Sequence, residues 1–219
     1  MKRSQPAAKR VKSQALRFKN RMQMDIQEIA GQIDQRGYIV LEKLLADTML
    51  DRLYARCQHD DPSRFNAAQI GRGSAKQRIS SVRGDAISWL TDMHPADAAY
   101  LSFMEELRLG LNERLFLGLF DYECHYAIYE KGMGYAKHTD VLSGKKNRVL
   151  STVLYLNEGW KESDGGELVL YDSQDAILET VAPRYGTMII FLSEHFPHEV
   201  LISQNTRRSI AGWFRISGS

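Results

Sequence analysis

Cysteine is nearly missing from this sequence: 219 residues contain only Cys57 and Cys124. The two lie far apart and form neither a CxxC pair nor a zinc-ligand spacing, so no disulfide framework or thiolate metal site is indicated, and a reducing, cytoplasmic setting is expected. Long apolar runs are absent too. No stretch approaches the ~18 uninterrupted apolar residues of a membrane span, and the first residues lack the apolar core of a secretory signal. The expectation is a soluble, unexported chain without membrane contact. Acidic residues are missing from the start of the chain, because residues 1–24 hold eight Lys or Arg and no Asp or Glu. Without those eight, 21 basic residues face 27 acidic ones, so the body carries about −6 although the formal total is +2. Such an arm can reach nucleic acid, a ribosome or an acidic protein by releasing counterions. Like-charge blocks more commonly form disordered solubilising tails, and residues 1–24 are read as one.

What remains, residues 25–219, is 43% apolar over the whole chain and suffices for one well-buried core. From about Met24 to Gln35, Ile26, Ile29, Ala30 and Ile33 recur at helical spacing, and Gly37 stops the pattern. A short strand over 38–41 should follow, then a helix over 47–58 with Asp47 as its N-cap. Residues 60–74 are polar, glycine-rich and without period, too long for an ordinary connection. A long helical pattern opens with Pro95 and runs to 118. Seven β-branched and aromatic runs then follow, at 122–130, 148–157, 167–172, 177–181, 187–192, 198–203 and 207–216. Helices first and closely spaced strands later indicate an α+β chain, with helical support over 25–118 and a jelly-roll or sandwich core over 119–219.

In His138-Thr139-Asp140 two metal ligands stand two residues apart, so in a strand or its frayed end both leave the same face. Two imidazoles and one carboxylate on a β scaffold form the facial set suited to non-haem Fe(II). The third ligand must come from a distant strand. His198 opens the apolar run Val200-Leu201-Ile202 and can point inward, whereas His195 lies in a polar, proline-bounded turn that suits the surface or a substrate-side role. His59, His94 and His125 have no partner spacing and are read as ordinary surface or core residues. In the last strand, alternation puts Arg207, Ser209, Ala211 and Trp213 on one face and Arg208 on the other, so only Arg207 lines a pocket with Ser209 and Trp213. A guanidinium there can take a carboxylate through two parallel charge-assisted bonds.

His138, Asp140, His198 and Arg207 together resemble the HxD…H…R arrangement of the Fe(II)- and 2-oxoglutarate-dependent dioxygenases. Val153-Leu154-Tyr155-Leu156-Asn157, Gly165-Gly166-Glu167-Leu168, Pro183-Arg184-Tyr185-Gly186 and His198-Glu199-Val200 are similar, in order and spacing, to the prolyl 4-hydroxylase branch. Arg83-Gly84-Asp85-Ala86-Ile87-Ser88-Trp89 resembles a segment of the hypoxia-type prolyl hydroxylases and their bacterial relatives. The resemblance implies a double-stranded β-helix. It also implies iron on His138, Asp140 and His198, and 2-oxoglutarate on Arg207, assisted by the hydroxyls of Tyr155 and Tyr129, with Leu168, Ser209 and Trp213 nearby. Residues 60–82 would be a mobile finger over a protein substrate, and Asp85 would pair with Arg148 at the pocket mouth. Strict alternation from Tyr155, however, turns Arg148 to the opposite face.

The implied activity is a peptidyl-prolyl 4-hydroxylase using Fe(II), 2-oxoglutarate, O2 and ascorbate, releasing succinate and CO2. Its implied partner is a proline-bearing protein segment, for which a translation factor such as elongation factor Tu is the candidate in bacterial relatives. Two alternatives share part of the pattern. Oxidative demethylation or hydroxylation of nucleic acid would use the same ligands and the basic arm, yet Trp213 stands where RxxxxxR in those enzymes has its second arginine. A cupin-like sensor that holds a metal without turnover would not need Arg207.

Overall fold

The computed structural model describes residues 25–59, 62–67, 83–141 and 147–217. The basic segment 1–24 and most of the 60–82 stretch, and with them the tail and finger expectations, lie outside the described residues. Residues 25–36 are helical (α1), and the expected Ile26, Ile29, Ala30 and Ile33 form the buried stripe. Gly37, at φ 77°, ends α1 as its N–H closes on the Ile33 carbonyl. In α2 (Asp47–His59), Asp47 sits inside the first turn instead of capping it. Its charge still suits the positive end of the helix. The longest helix is α3 (Pro95–Leu115), with proline in the first turn, where a missing N–H costs nothing. His94 is its N-cap, Nδ1 accepting from the Ala96 N–H at 3.2 Å. Phe116, at φ 53°, closes α3 three residues before the expected end.

The strands are β1 (Tyr38–Leu41), β2 (Asn66–Ala67), β3 (Asp85–Trp89), β4 (Leu119–Tyr129), β5 (Tyr135–His138) and β6 (Arg148–Tyr155). After them come β7 (Leu168–Tyr171), β8 (Ile177–Val181), β9 (Met188–Leu192), β10 (His198–Val200) and β11 (Arg207–Ile216). All seven expected runs are present, although in the run at 198–203 the strand ends at Val200 and Ser203 adds one isolated bridge to Gly165. A larger antiparallel sheet has the order β1-β9-β6-β11-β4-β3-β2, and a smaller one the order β5-β10-β7-β8. Two facing antiparallel sheets with helices on the outside of the larger are the α+β double-stranded β-helix expected from the sequence.

Alternation along the larger sheet separates two interiors. Tyr126, Leu150, Leu154, Ile190, Ile210 and Phe214 face α1, α2 and α3 and form the main core. Phe214 is fully buried there, and truncating it to alanine would cost about 3–5 kcal/mol. The other face turns towards the smaller sheet, where Val153, Tyr155, Ile189 and Phe191 pack on Leu168, Leu170 and Val181. That second interior is filled at the β9 end and open at the β4 end. The opening leads into a cavity of about 680 Å³.

Candidate active site: a metal triad beside a buried arginine

His138 ends β5 and His198 begins β10, and the two are direct cross-strand partners. Asp140 lies just past the strand end and curls back between them: its carboxylate is 3.8 Å from His138 Nε2 and 3.6 Å from His198 Nε2. One ligand atom from each residue falls within 4.8 Å of the others. Ligands about 2.1 Å from one ion stand about 3–4 Å apart, so the triad suits a first-row metal with small adjustment. The ring orientation suits it too. His138 Nδ1 lies 2.8 Å from the Ala136 carbonyl and His198 Nδ1 3.1 Å from the Phe196 carbonyl. A carbonyl can only accept, so each Nδ1 carries the proton and each Nε2 presents a lone pair to the centre. Burial and the neighbouring His198 push His138 down to about 4, keeping it unprotonated at neutral pH. Burial alone would raise the Asp140 carboxyl, but His198, His138 and the Ser151 hydroxyl outweigh it and hold it at about 2.

At the other end of the cavity, Arg207 is 1% exposed. Its Nε donates to the Gly166 carbonyl at 2.8 Å and one terminal nitrogen to Ser209 at 3.3 Å. Among the described residues no carboxylate pairs with it. The rings of Tyr129 and Tyr155 flank the guanidinium at 5.1 and 5.0 Å. The Tyr155 hydroxyl is buried without a hydrogen-bond partner. Burial pushes that hydroxyl up to about 12, against the pull of Arg207, so it stays a neutral donor. Gly166, at φ 73°, brings the backbone close enough to hold the arginine, and a β-carbon there would stand 3.2 Å from Arg207 Cδ. A buried cation with no anion among the described residues and an orphaned hydroxyl beside it fit the chemistry of a dianionic ligand. Leu168 and Ser209 line this end, as expected.

Three expectations about the pocket mouth need correction. Asp85 is taken by Arg83, which holds it in two hydrogen bonds of 2.6 and 2.9 Å. Arg148 does face the cavity, because β6 bulges: Leu150 pairs with Phe214 and Arg148 with Arg215, so Val149 is passed over and the alternation resets. Arg148 donates to Glu123 at 3.1 Å and to the Asp140 carbonyl at 3.5 Å, and its guanidinium lies 3.6 Å from the Trp213 ring centre. Trp213 itself stands six residues along β11 from Arg207, about 20 Å in an extended strand, so it lines the metal and mouth end and not the arginine end.

Sequence reasoning missed several lining residues. Tyr135 stacks on His138 with ring centres 3.7 Å apart and carries Arg83 over its other side at 4.9 Å. His125, read as an ordinary residue, is buried in the cavity wall between Trp89 and Trp213, at 5.1 and 5.5 Å. Its place in the odd register of β4, opposite Ala211, was the available signal. Arg208 and His195 stay out of the site: His195 is exposed in its turn.

Facing sheets, a His-Asp-His cluster and a buried cationic anchor in one cavity define a metal-dependent enzyme that uses a carboxylate co-substrate. Comparison with known proteins agrees. The profile of the 2OG-Fe(II) oxygenase superfamily matches residues 124–215. The crystal structure of a Pseudomonas putida prolyl-4-hydroxylase superposes with a TM-score of 0.80 at 35% identity, covering 88% of this chain and 100% of that one. A Trichoplax adhaerens prolyl hydroxylase, in complex with a hypoxia inducible factor oxygen degradation domain peptide, shares the fold with a TM-score of 0.80 at 23% identity, over 91% and 92% of the two chains. Prolyl 3-hydroxylase OGFOD1 of Xenopus laevis is 35% identical over 86 residues, 35% of this chain but only 16% of that protein's length. The chain belongs to the 2OG-Fe(II) oxygenase superfamily, in its prolyl hydroxylase branch. Among the described residues no helix is long and apolar enough to cross a membrane.

Proposed function

We propose that this protein hydroxylates a proline in a protein segment, with Fe(II) held by His138, Asp140 and His198 and 2-oxoglutarate anchored by Arg207. The observation that carries this reading is the pairing, in one cavity, of the metal triad with a buried guanidinium that has no carboxylate partner among the described residues. Iron and 2-oxoglutarate supply the oxidising power: the oxo acid loses CO2 to become succinate, and one atom of O2 ends in the substrate hydroxyl.

The chain's own residues bind, orient and exclude water. Arg207 takes the distal carboxylate as a two-pronged donor, and the idle Tyr155 hydroxyl adds a third hydrogen bond in a site where water does not compete. Tyr129 and Leu168 wall this end. The two Nδ1–H bonds keep both imidazoles aimed at the centre. At the mouth, Trp89, Trp213 and Tyr135 offer aromatic faces against which a proline ring can pack. The Arg83–Asp85 pair, stapled to the 130–135 loop by the Gly84 N–H to Gly134 carbonyl bond, sets the width of the opening. Arg148, anchored by Glu123, is placed beside Trp213 to meet a substrate carbonyl. The free, buried thiols of Cys57 and Cys124 support a reducing compartment for this chemistry.

The test is anaerobic iron loading followed by succinate and peptide-mass measurements, with proline-containing peptides and with elongation factor Tu as protein substrate. Wild type should release succinate and add 16 Da to proline, while Asp140→Ala and Arg207→Ala should do neither. Full turnover by both variants would remove the site assignment. Oxidation of nucleic acid with none of peptides would replace the substrate class.

A further inference from the structure

Behind the metal triad lies a short polar chain buried in an otherwise apolar wall. Ser151 is on β6, on the cavity side of the sheet, between Trp213 of β11 and Phe191 of β9. Its hydroxyl is 2.6 Å from Asp140 Oδ2. Ser193, just past the end of β9, places its own hydroxyl 2.8 Å from that of Ser151. Ser151 is 1% exposed and Ser193 is fully buried. The direction of the chain follows from proton counting. An ionised carboxylate can only accept, so the single Ser151 hydrogen is committed to Asp140. The Ser151 oxygen must then accept from Ser193, and the sequence of donors is Ser193 to Ser151 to Asp140. Consecutive hydrogen bonds pointing the same way reinforce one another in a low-dielectric interior.

Neither serine touches the metal position, and neither is needed to fill space, since alanine or valine would suit an apolar wall better. Each hydroxyl buried here would cost about 1–3 kcal/mol if left unpaired, so the pair is tolerable only while both bonds are made. The geometry points to a relay: we infer that Ser151 and Ser193 are positioning residues which hold Oδ2 of Asp140 and so fix the orientation of the carboxylate between His138 and His198. A fixed carboxylate matters because hydrogen-bond partners behind a metal ligand set its orientation and so the affinity of the site. This inference rests on the assignment of Asp140 as a ligand.

The experiment measures dissociation constants of Co(II) and Mn(II) for the full-length protein under anaerobic, 2-oxoglutarate-free conditions. Wild type is compared with Ser151→Ala, Ser193→Ala and Ser151→Thr, and metal-free melting curves check the fold. Loss of a partner behind a metal ligand typically lowers affinity 10–100-fold, the shift expected for Ser151→Ala. Ser193→Ala, one bond further away, should show a smaller loss in the same direction. Ser151→Thr, which keeps the hydroxyl, should stay within about threefold of wild type, a rescue that simple cavity formation would not produce. Unchanged affinity in Ser151→Ala, or equal loss in Ser151→Thr, overturns the relay. If wild type itself binds neither ion, the iron site fails instead, and the two failures are distinct.

Discussion

Replacing Arg207 with methionine should have opposite effects on the empty protein and on the protein with its co-substrate. In the empty protein the guanidinium is buried against one backbone carbonyl and one serine, with no counter-charge among the described residues. Exchanging a poorly compensated buried charge for an apolar side chain of similar length is often neutral or stabilising by about 1–4 kcal/mol. Against this, the Gly166 carbonyl loses its donor, at a cost of about 1 kcal/mol. The metal-free melting temperature should therefore hold or rise, by up to about 12 °C for a chain of this size. Binding behaves otherwise. Removing one partner of a buried, hydrogen-bonded charge pair costs about 2–5 kcal/mol, so 2-oxoglutarate affinity should fall roughly 30- to 3000-fold. Calorimetry and melting curves with and without 2-oxoglutarate, at fixed metal, read both quantities. Affinity within threefold of wild type, or a metal-free protein more than about 2 kcal/mol less stable, would falsify the carboxylate-anchor role.

Three further outcomes are expected. Tyr155→Phe removes a buried hydroxyl that has no hydrogen-bond partner among the described residues, so it should not lower metal-free stability, yet should weaken 2-oxoglutarate binding by about tenfold, the worth of one hydrogen bond to a charged group; tightened binding would contradict it. Gly134→Ala would put a β-carbon 2.6 Å from the Val200 carbonyl oxygen, where backbone cannot yield, and should disrupt the β5–β10 approach, with lower melting temperature and weaker metal binding measured together. Burial, aided by the charge of Arg83, pushes His125 down to about 4, so the unfolded chain takes up a proton that the folded one refuses between pH 6.5 and 4. Stability is therefore complete above pH 6.5 and falls below it, by about 2 kcal/mol at pH 5 from this residue, and His125→Phe should flatten the decline in denaturant titrations of metal-free protein to about half, the rest belonging to His138.

Legibility in the sequence followed the strength of local periodicity. The main strands stood out because β-branched and aromatic residues alternate in them, and the same alternation turns Arg207, and not Arg208, into the cavity wall. His198 was separable from His195 because one opens an apolar run and the other a polar turn. β5 escaped notice: Tyr-Ala-Lys-His has no apolar alternation, since its outer face is solvent and its inner face is the metal site. Arg148 was misplaced because a one-residue bulge leaves no compositional trace, yet inverts every side chain beyond it. The Asp85 partner went wrong for a related reason. Arg83 lies two residues away on the same side of an extended segment and reaches the carboxylate first. Ser151 and Ser193 carried no motif at all, since each is an isolated small polar residue whose importance appears only when β6 and β9 are side by side.

The direct pairing of His138 with His198 has a mechanical consequence. β5 is four residues long and, among the described residues, ends its sheet beside β10, with a single bridge from Tyr135 to Arg83 on its other side. An ion shared by two facing rungs would rivet that edge to the rest of the sheet, so the amides of Tyr135 to His138 should exchange with solvent quickly in metal-free protein and slowly once it is loaded. The cation that runs the chemistry would thus also be the clasp that keeps a vulnerable margin from fraying or recruiting a foreign strand.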